Sequence, residues 1–313
     1  MIRSFFVLIC CLLHHHSKTG ALAFTPQHRG ASRIFLDTAD SNDWDELLPT
    51  GIFHGVTTNP TLLQRVNVPC NIQSLHGMAQ RALQMTDEFM CQAWGGSAQE
   101  MYQCGMALSQ PSRDRIVVKV PVTLEGVQAA KLLVQGGVRV CLTACYNHKQ
   151  ALLAASVGAE YIAPYLGRMN DAGKDGVSEC LKMQAITQGM QSDTRILVAS
   201  IRDAQTMVDL AAKGMETFTF SPEVARELFV EPLTTQAARD FEEAAIVNAF
   251  ALELNGDLTE ASTNGSTAAP QRQPTAEDYG TLPDECELEF EEDGSISIMC
   301  EEEFVAGAAT VSD

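Results

Sequence analysis

Ile116-Val117-Val118-Lys119-Val120-Pro121-Val122-Thr123 runs into Leu124–Gln135 and then into Val138-Arg139-Val140-Cys141-Leu142-Thr143. The outer stretches are β-branched runs. In the middle one, Val127, Ala130, Lys131 and Val134 recur with a period near 3.6 residues, so the segment reads as strand, helix, strand. Both strands are nearly continuous in apolar residues, as expected when each face is covered by helices or by barrel core.

The same alternation continues in both directions. Further strands are expected at Ile34-Phe35-Leu36, Gly55-Val56-Thr57-Thr58, Glu88-Phe89-Met90-Cys91-Gln92, Tyr161-Ile162-Ala163-Pro164, Ile196-Leu197-Val198-Ala199-Ser200 and Thr217-Phe218-Thr219. Helix-period stretches such as Lys149–Val157 separate them. Eight βα units over residues 34–254 fit an α/β fold, the (β/α)8 TIM barrel. A doubly wound open sheet is the alternative, but no GxGxxG follows the first strand to favour it. Residues 234–251, with Phe241, Ala244, Ala245 and Val247, read as a C-terminal amphipathic helix.

The ends differ from this middle. The 313-residue chain is 45% apolar, enough for a real core, and carries 40 acidic against 21 basic residues, net −19. Most of that excess lies beyond residue 255, where Gly, Ser, Thr, Pro, Asn and Glu dominate and an acidic run spans 285–293. Residues 255–313 are therefore expected to be a disordered, solubilising acidic tail. Such a charge balance argues against a nucleic-acid or anionic-membrane partner.

At the other end, Arg3 precedes an apolar run at residues 5–13, and Ala21-Leu22-Ala23 supplies small residues for a signal peptidase. Nine residues are too few for a spanning helix, so no membrane association is expected of the mature form. Phe24-Thr25-Pro26-Gln27-His28-Arg29 follows, with no acid before Asp37. Residues 1–33 thus read as a bipartite signal and transit presequence directing the protein to a plastid, with secretion as the alternative. Ten cysteines without a CxxC pair fit reduced thiols better than a disulfide frame, and no metal site is legible.

A barrel gathers its chemistry at the C-terminal ends of its strands. Asp37, Thr57, Thr58, Asn59, Gln92, Thr143, Tyr165, Arg168, Ser200 and Arg202 all fall there. Lys119 is the one charge within its strand. A central barrel strand gives its amine no easy route to water, and desolvation disfavours the charged form, leaving a nucleophile toward ketones. An edge-strand lysine snorkelling to solvent is the alternative. Gln92, Thr143 and Tyr165 can hold a water for the proton transfers of a carbinolamine. Arg168, Ser200 and Arg202 can bind a phosphate, while Asp37 and Asn59 suit sugar hydroxyls. Taken singly, Thr143 could simply pack, Asp37 could cap, and Asn59-Pro60 could open a helix.

Phe35-Leu36-Asp37-Thr38-Ala39, Gly55-Val56-Thr57-Thr58-Asn59-Pro60, Ile116-Val117-Val118-Lys119-Val120-Pro121, Gly158-Ala159-Glu160-Tyr161-Ile162-Ala163-Pro164-Tyr165 and Ala199-Ser200 together resemble the transaldolase family, and its fructose-6-phosphate aldolase branch in particular. The resemblance implies a barrel with the Schiff-base lysine at Lys119. It also implies Gln92, Thr143 and Tyr165 around a catalytic water, Asp37, Thr58 and Asn59 toward a dihydroxyacetone unit, and Arg168, Ser200 and Arg202 toward phosphate. Sugar phosphates are the implied substrates, no cofactor is needed, and a homo-oligomer, pentamer or decamer, is expected. Gln92, Cys141 and Tyr165 match the aldolase branch, whereas Leu166-Gly167-Arg168 is closer to the small transaldolases. Two further readings stay open: a true transaldolase, and an idle barrel serving as a binding module.

Overall fold

In a computed structural model the structure describes residues 32–261, 286–290 and 296–300. The expected presequence, up to residue 31, lies outside the described residues, as do 262–285, 291–295 and 301–313 of the expected tail.

The strands are β1 (Arg33–Asp37), β2 (Gly55–Thr57), β3 (Glu88–Gln92), β4 (Ile116–Pro121), β5 (Arg139–Cys145), β6 (Tyr161–Pro164), β7 (Arg195–Ile196) and β8 (Thr217–Phe220). All pair in parallel in the order β7-β6-β5-β4-β3-β2-β1-β8. A bridge between Val198 and Phe218 joins the two ends, so the sheet closes as a (β/α)8 barrel. Between the strands run α1 (Ser41–Leu47), α2 (Pro60–Arg65), α3 (Ile72–Met85), α4 (Ala98–Leu108), α5 (Leu124–Gln135), α6 (Lys149–Val157), α7 (Leu166–Asp171), α8 (Gly176–Gly189) and α9 (Ala204–Ala211), and α10 (Pro222–Glu227) follows β8.

The helices start where the sequence supplies caps. Asp40, Asn59, Asn71, Ser97, Thr123, Asp175 and Asp203 each accept a first-turn backbone N–H, and Ser97 with Glu100 forms a capping box. Strand residues of one parity, such as Val56, Val118, Val140 and Ile162, bury against helices in the larger core. Those of the other parity, Phe35, Met90, Val117, Cys141, Tyr161, Ala163, Leu197 and Ala199, fill the barrel interior.

One expectation changes, and two segments carry further structure. β7 is only Arg195–Ile196, with isolated bridges at Val198 and Ala199, because Ser200 turns the chain out of the sheet at φ 59°. The final helix, α11 (Pro232–Ala261), continues past the boundary expected at residue 254. Within the segment read as a disordered tail, β9 (Cys286–Phe290) and β10 (Ile296–Cys300) pair antiparallel. The alternation Cys286-Glu287-Leu288-Glu289-Phe290 is the period-two signal that the acidic composition masked. The described residues from Pro232 onward belong to a second unit, distinct from the one that contains the barrel. No helix among the described residues is long and apolar enough to cross a membrane.

Candidate active site

Period-two alternation stacks three layers inside the barrel. At the N-terminal end, Arg33, Glu88, Arg139 and Tyr161 form a charged floor joined by His54 and Glu160. Burial alone would push the Glu88 carboxyl up, but hydrogen bonds and positive charge from His54 and Arg139 outweigh it and hold the group at about 2. The apolar layer follows. Above it, at the C-terminal end, Asp37, Thr57, Gln92, Lys119, Thr143 and Thr219 occupy the next inward positions.

Lys119 is 5% exposed. Its Nζ donates to the carbonyl oxygen of Thr58 at 3.2 Å, and no carboxylate among the described residues lies within 4.0 Å of it. The snorkelling alternative therefore fails: β4 is central, between β3 and β5, and the amine ends inside the barrel. Gln92 and Cys141 flank Lys119 in register. Burial pushes the Cys141 thiol up to about 12, so it stays protonated at ordinary pH. The lysine has no thiolate rival beside it.

Lys119 borders a cavity of about 120 Å³, the room of about four waters, which Asp37, Asn59, Tyr165, Arg168, Ser200 and Thr219 also line. A wider space of about 500 Å³ shares Asp37, Arg65, Arg168, Ser200 and Thr219 with it and adds Arg202. The inner chamber thus opens toward a mouth bordered by three arginines.

The expected site residues divide by what they touch. The Tyr165 and Thr143 hydroxyls lie 2.9 Å apart. β5 slips register between Leu142 and Cys145, with Ala144 at φ 58°, and this bulge carries Thr143 at the strand end. Gln92 instead donates its amide to the Ala93 carbonyl at 3.3 Å. Asn59 Oδ1 caps α2 by accepting from the Thr61 and Leu62 N–H groups, which leaves its amide hydrogens for the cavity. Thr58 contributes a backbone oxygen to Lys119, while its own hydroxyl is buried without a partner among the described residues.

The Arg168 guanidinium lies over the Tyr165 ring, 5.0 Å from its centroid. A hydrogen bond to Tyr146 holds the Arg168 pKa above its ordinary value, reinforced by Tyr165 and Asp37. Gly167 makes this placement possible: a Cβ there would come 2.3 Å from the Ser200 carbonyl oxygen, which accepts the Gly167 N–H at 3.0 Å. Arg202 is exposed and paired with Asp171 at 2.6 Å.

Sequence reasoning missed Thr219, Arg65 and Tyr146. Thr219 carried a signal, since Thr217-Phe218-Thr219-Phe220 alternates and one parity must face inward. A larger cavity of about 880 Å³ opens near the charged floor, bordered by Arg33, Glu160, Arg195 and Glu216. Its lining contains no lysine, and two of its ion pairs are Arg33 with Glu160 and Arg195 with Glu216. Among the described residues no His, Cys, Asp and Glu cluster is placed to hold a metal ion.

Residues 34–268 match the family described as transaldolase/fructose-6-phosphate aldolase. A protein named probable transaldolase from Chelativorans sp. (strain BNC1) is 35% identical over 218 residues, covering 67% of this chain and 94% of the relative. Another of that name, from Hyphomonas neptunium (strain ATCC 15444), is 34% identical over 209 residues, with 67% and 94% covered. A third, from Dictyoglomus turgidum (strain DSM 6724 / Z-1310), is 31% identical over 210 residues, with 67% and 95% covered.

Proposed function

The chain belongs to the transaldolase/fructose-6-phosphate aldolase family, and from that premise we propose that it is a Schiff-base aldolase that cleaves and forms fructose 6-phosphate. The observation carrying this reading is Lys119, buried on a central strand and bordering a chamber of about 120 Å³.

Lys119 Nζ adds to the C2 ketone, and the carbinolamine loses water, its proton transfers served by the paired Thr143 and Tyr165 hydroxyls. The iminium draws in the electrons of the C3–C4 bond as that bond breaks. Asp37, in the same chamber, is the base for the C4 hydroxyl proton. Glyceraldehyde 3-phosphate leaves, its phosphate toward Arg65, Arg168 and Ser200 in the outer space. The enamine takes a proton at C3, water hydrolyses the imine, and dihydroxyacetone is released. The Tyr165 hydroxyl beside Thr143 favours that protonation over a wait for an acceptor.

The names of the relatives favour a second reading, in which erythrose 4-phosphate captures the enamine and sedoheptulose 7-phosphate results. Borohydride reduction with fructose 6-phosphate, followed by peptide mapping, should label Lys119. Dihydroxyacetone release is then measured with and without erythrose 4-phosphate; strict dependence on the acceptor selects the transaldolase reading. We also propose an oligomer. Leu233, Phe241 and Val247 of α11 are exposed at 80%, 74% and 66%, apolar surface suited to association, and a monomeric mass by light scattering refutes this.

A further inference from the structure

We propose that Thr219, acting through Thr57, is a positioning residue for Asp37, an inference that rests on the Schiff-base reading above. Thr57 Oγ1 donates to Asp37 Oδ1 at 2.6 Å, and Thr57 Oγ1 lies 2.6 Å from Thr219 Oγ1. The three side chains come from β2, β1 and β8, and the Thr57–Thr219 contact bridges two strands that both pair with β1 rather than with each other. Thr57 is fully buried and Thr219 is 3% exposed, so bulk solvent has little access to either hydroxyl.

Donor arithmetic fixes the direction of the chain. An ionised carboxylate only accepts, so the Thr57 proton is committed to Asp37. Thr57 then has only lone pairs to offer Thr219, and the Thr219 hydroxyl must donate. The two hydroxyls polarise one another toward Oδ1, and hydrogen bonds in such chains strengthen cooperatively. With Oδ1 held, Oδ2 is the oxygen left to meet substrate in the chamber that Asp37 and Thr219 both line. Lys119 is anchored separately, to the Thr58 carbonyl, so the relay orients the base without touching the nucleophile.

The test compares Thr219→Val, which keeps the shape and removes the hydroxyl, with Thr219→Ser, which restores it. For T219V, kcat for fructose 6-phosphate cleavage should fall about ten-fold, the weight of a hydrogen bond serving a charged group, with KM within about two-fold. Borohydride labelling of Lys119 should persist, and T219S should recover most of the rate. Thr57→Val combined with T219V should be no slower than T57V alone, because either change cuts the same chain. Should T219V not fold, Thr219→Ala carries the comparison. An unchanged kcat without the hydroxyl, a T219S enzyme as slow as T219V, or additive losses in the double variant overturns the relay. Absence of any labelled Lys119 in the unmodified enzyme overturns the parent reading and this one with it.

Discussion

The amine of Lys119 is tethered to the carbonyl oxygen of Thr58, 3.2 Å away, a neutral acceptor. A neutral tether orients the side chain and sets no counter-charge beside the amine. Lys119→Arg should abolish borohydride labelling and lower kcat by at least about 10³-fold, since a guanidinium stays protonated and cannot add to a ketone. Mass mapping and steady-state assay read the two effects; normal turnover in this variant refutes the Schiff-base reading.

Tyr165 stands 2.9 Å from Thr143 across the chamber wall. Tyr165→Phe removes the hydroxyl to which we assign support of enamine protonation while keeping the ring beneath Arg168. Dihydroxyacetone release should drop by about 100-fold, the lower end of what general acid-base help contributes, and transfer to erythrose 4-phosphate should suffer less. Equal losses in both reactions, measured side by side, would show that the hydroxyl does not partition the intermediate.

Arg65 ends α2 at the chamber mouth and makes no ion pair within 4.0 Å among the described residues, whereas Arg202 is engaged by Asp171. Arg65→Leu should therefore raise KM for fructose 6-phosphate by about three- to ten-fold, a modest effect because solvent screens an exposed charge. Condensation of unphosphorylated glyceraldehyde with dihydroxyacetone should keep its rate. A matching loss with the uncharged aldehyde would assign Arg65 to the scaffold instead.

Glu88 should contribute to the acid limit of the fold. Its carboxyl titrates at about 2 in the native state against an ordinary 4.5, so the folded state gains stability above that ordinary value. The gain drains away as pH falls from about 4.5 through about 2. Urea midpoints should decline over this window, and Glu88→Gln should flatten the decline while costing about 3 to 5 kcal/mol at neutral pH, as expected when one partner of a buried ion pair is removed. An unaltered midpoint at pH 7 would show that the floor network carries little stability.

Lys119 was legible because a lone charge in a β-branched run contradicts its surroundings, and the barrel was legible because strand and helix periods alternate so regularly. Asp37, Asn59 and Arg168 followed from their places at strand ends. Thr219 and Arg65 did not, since the register between strands far apart in the chain decides which side chains meet. β7 was read as too long because the apolar run of residues 196–199 hides the left-handed turn at Ser200. The β9–β10 pairing was lost in an average: acidic composition argues for disorder even where apolar residues alternate beneath it.

The small chamber at Lys119 and the broad space outside it divide selectivity unevenly. Under the Schiff-base reading the ketone half of a donor has to fit the chamber of about 120 Å³, so extra bulk at that terminus should slow turnover. The aldehyde half meets a roomy vestibule, where it is screened mainly for negative charge. The expected outcome is wider tolerance toward aldehydes than toward ketones.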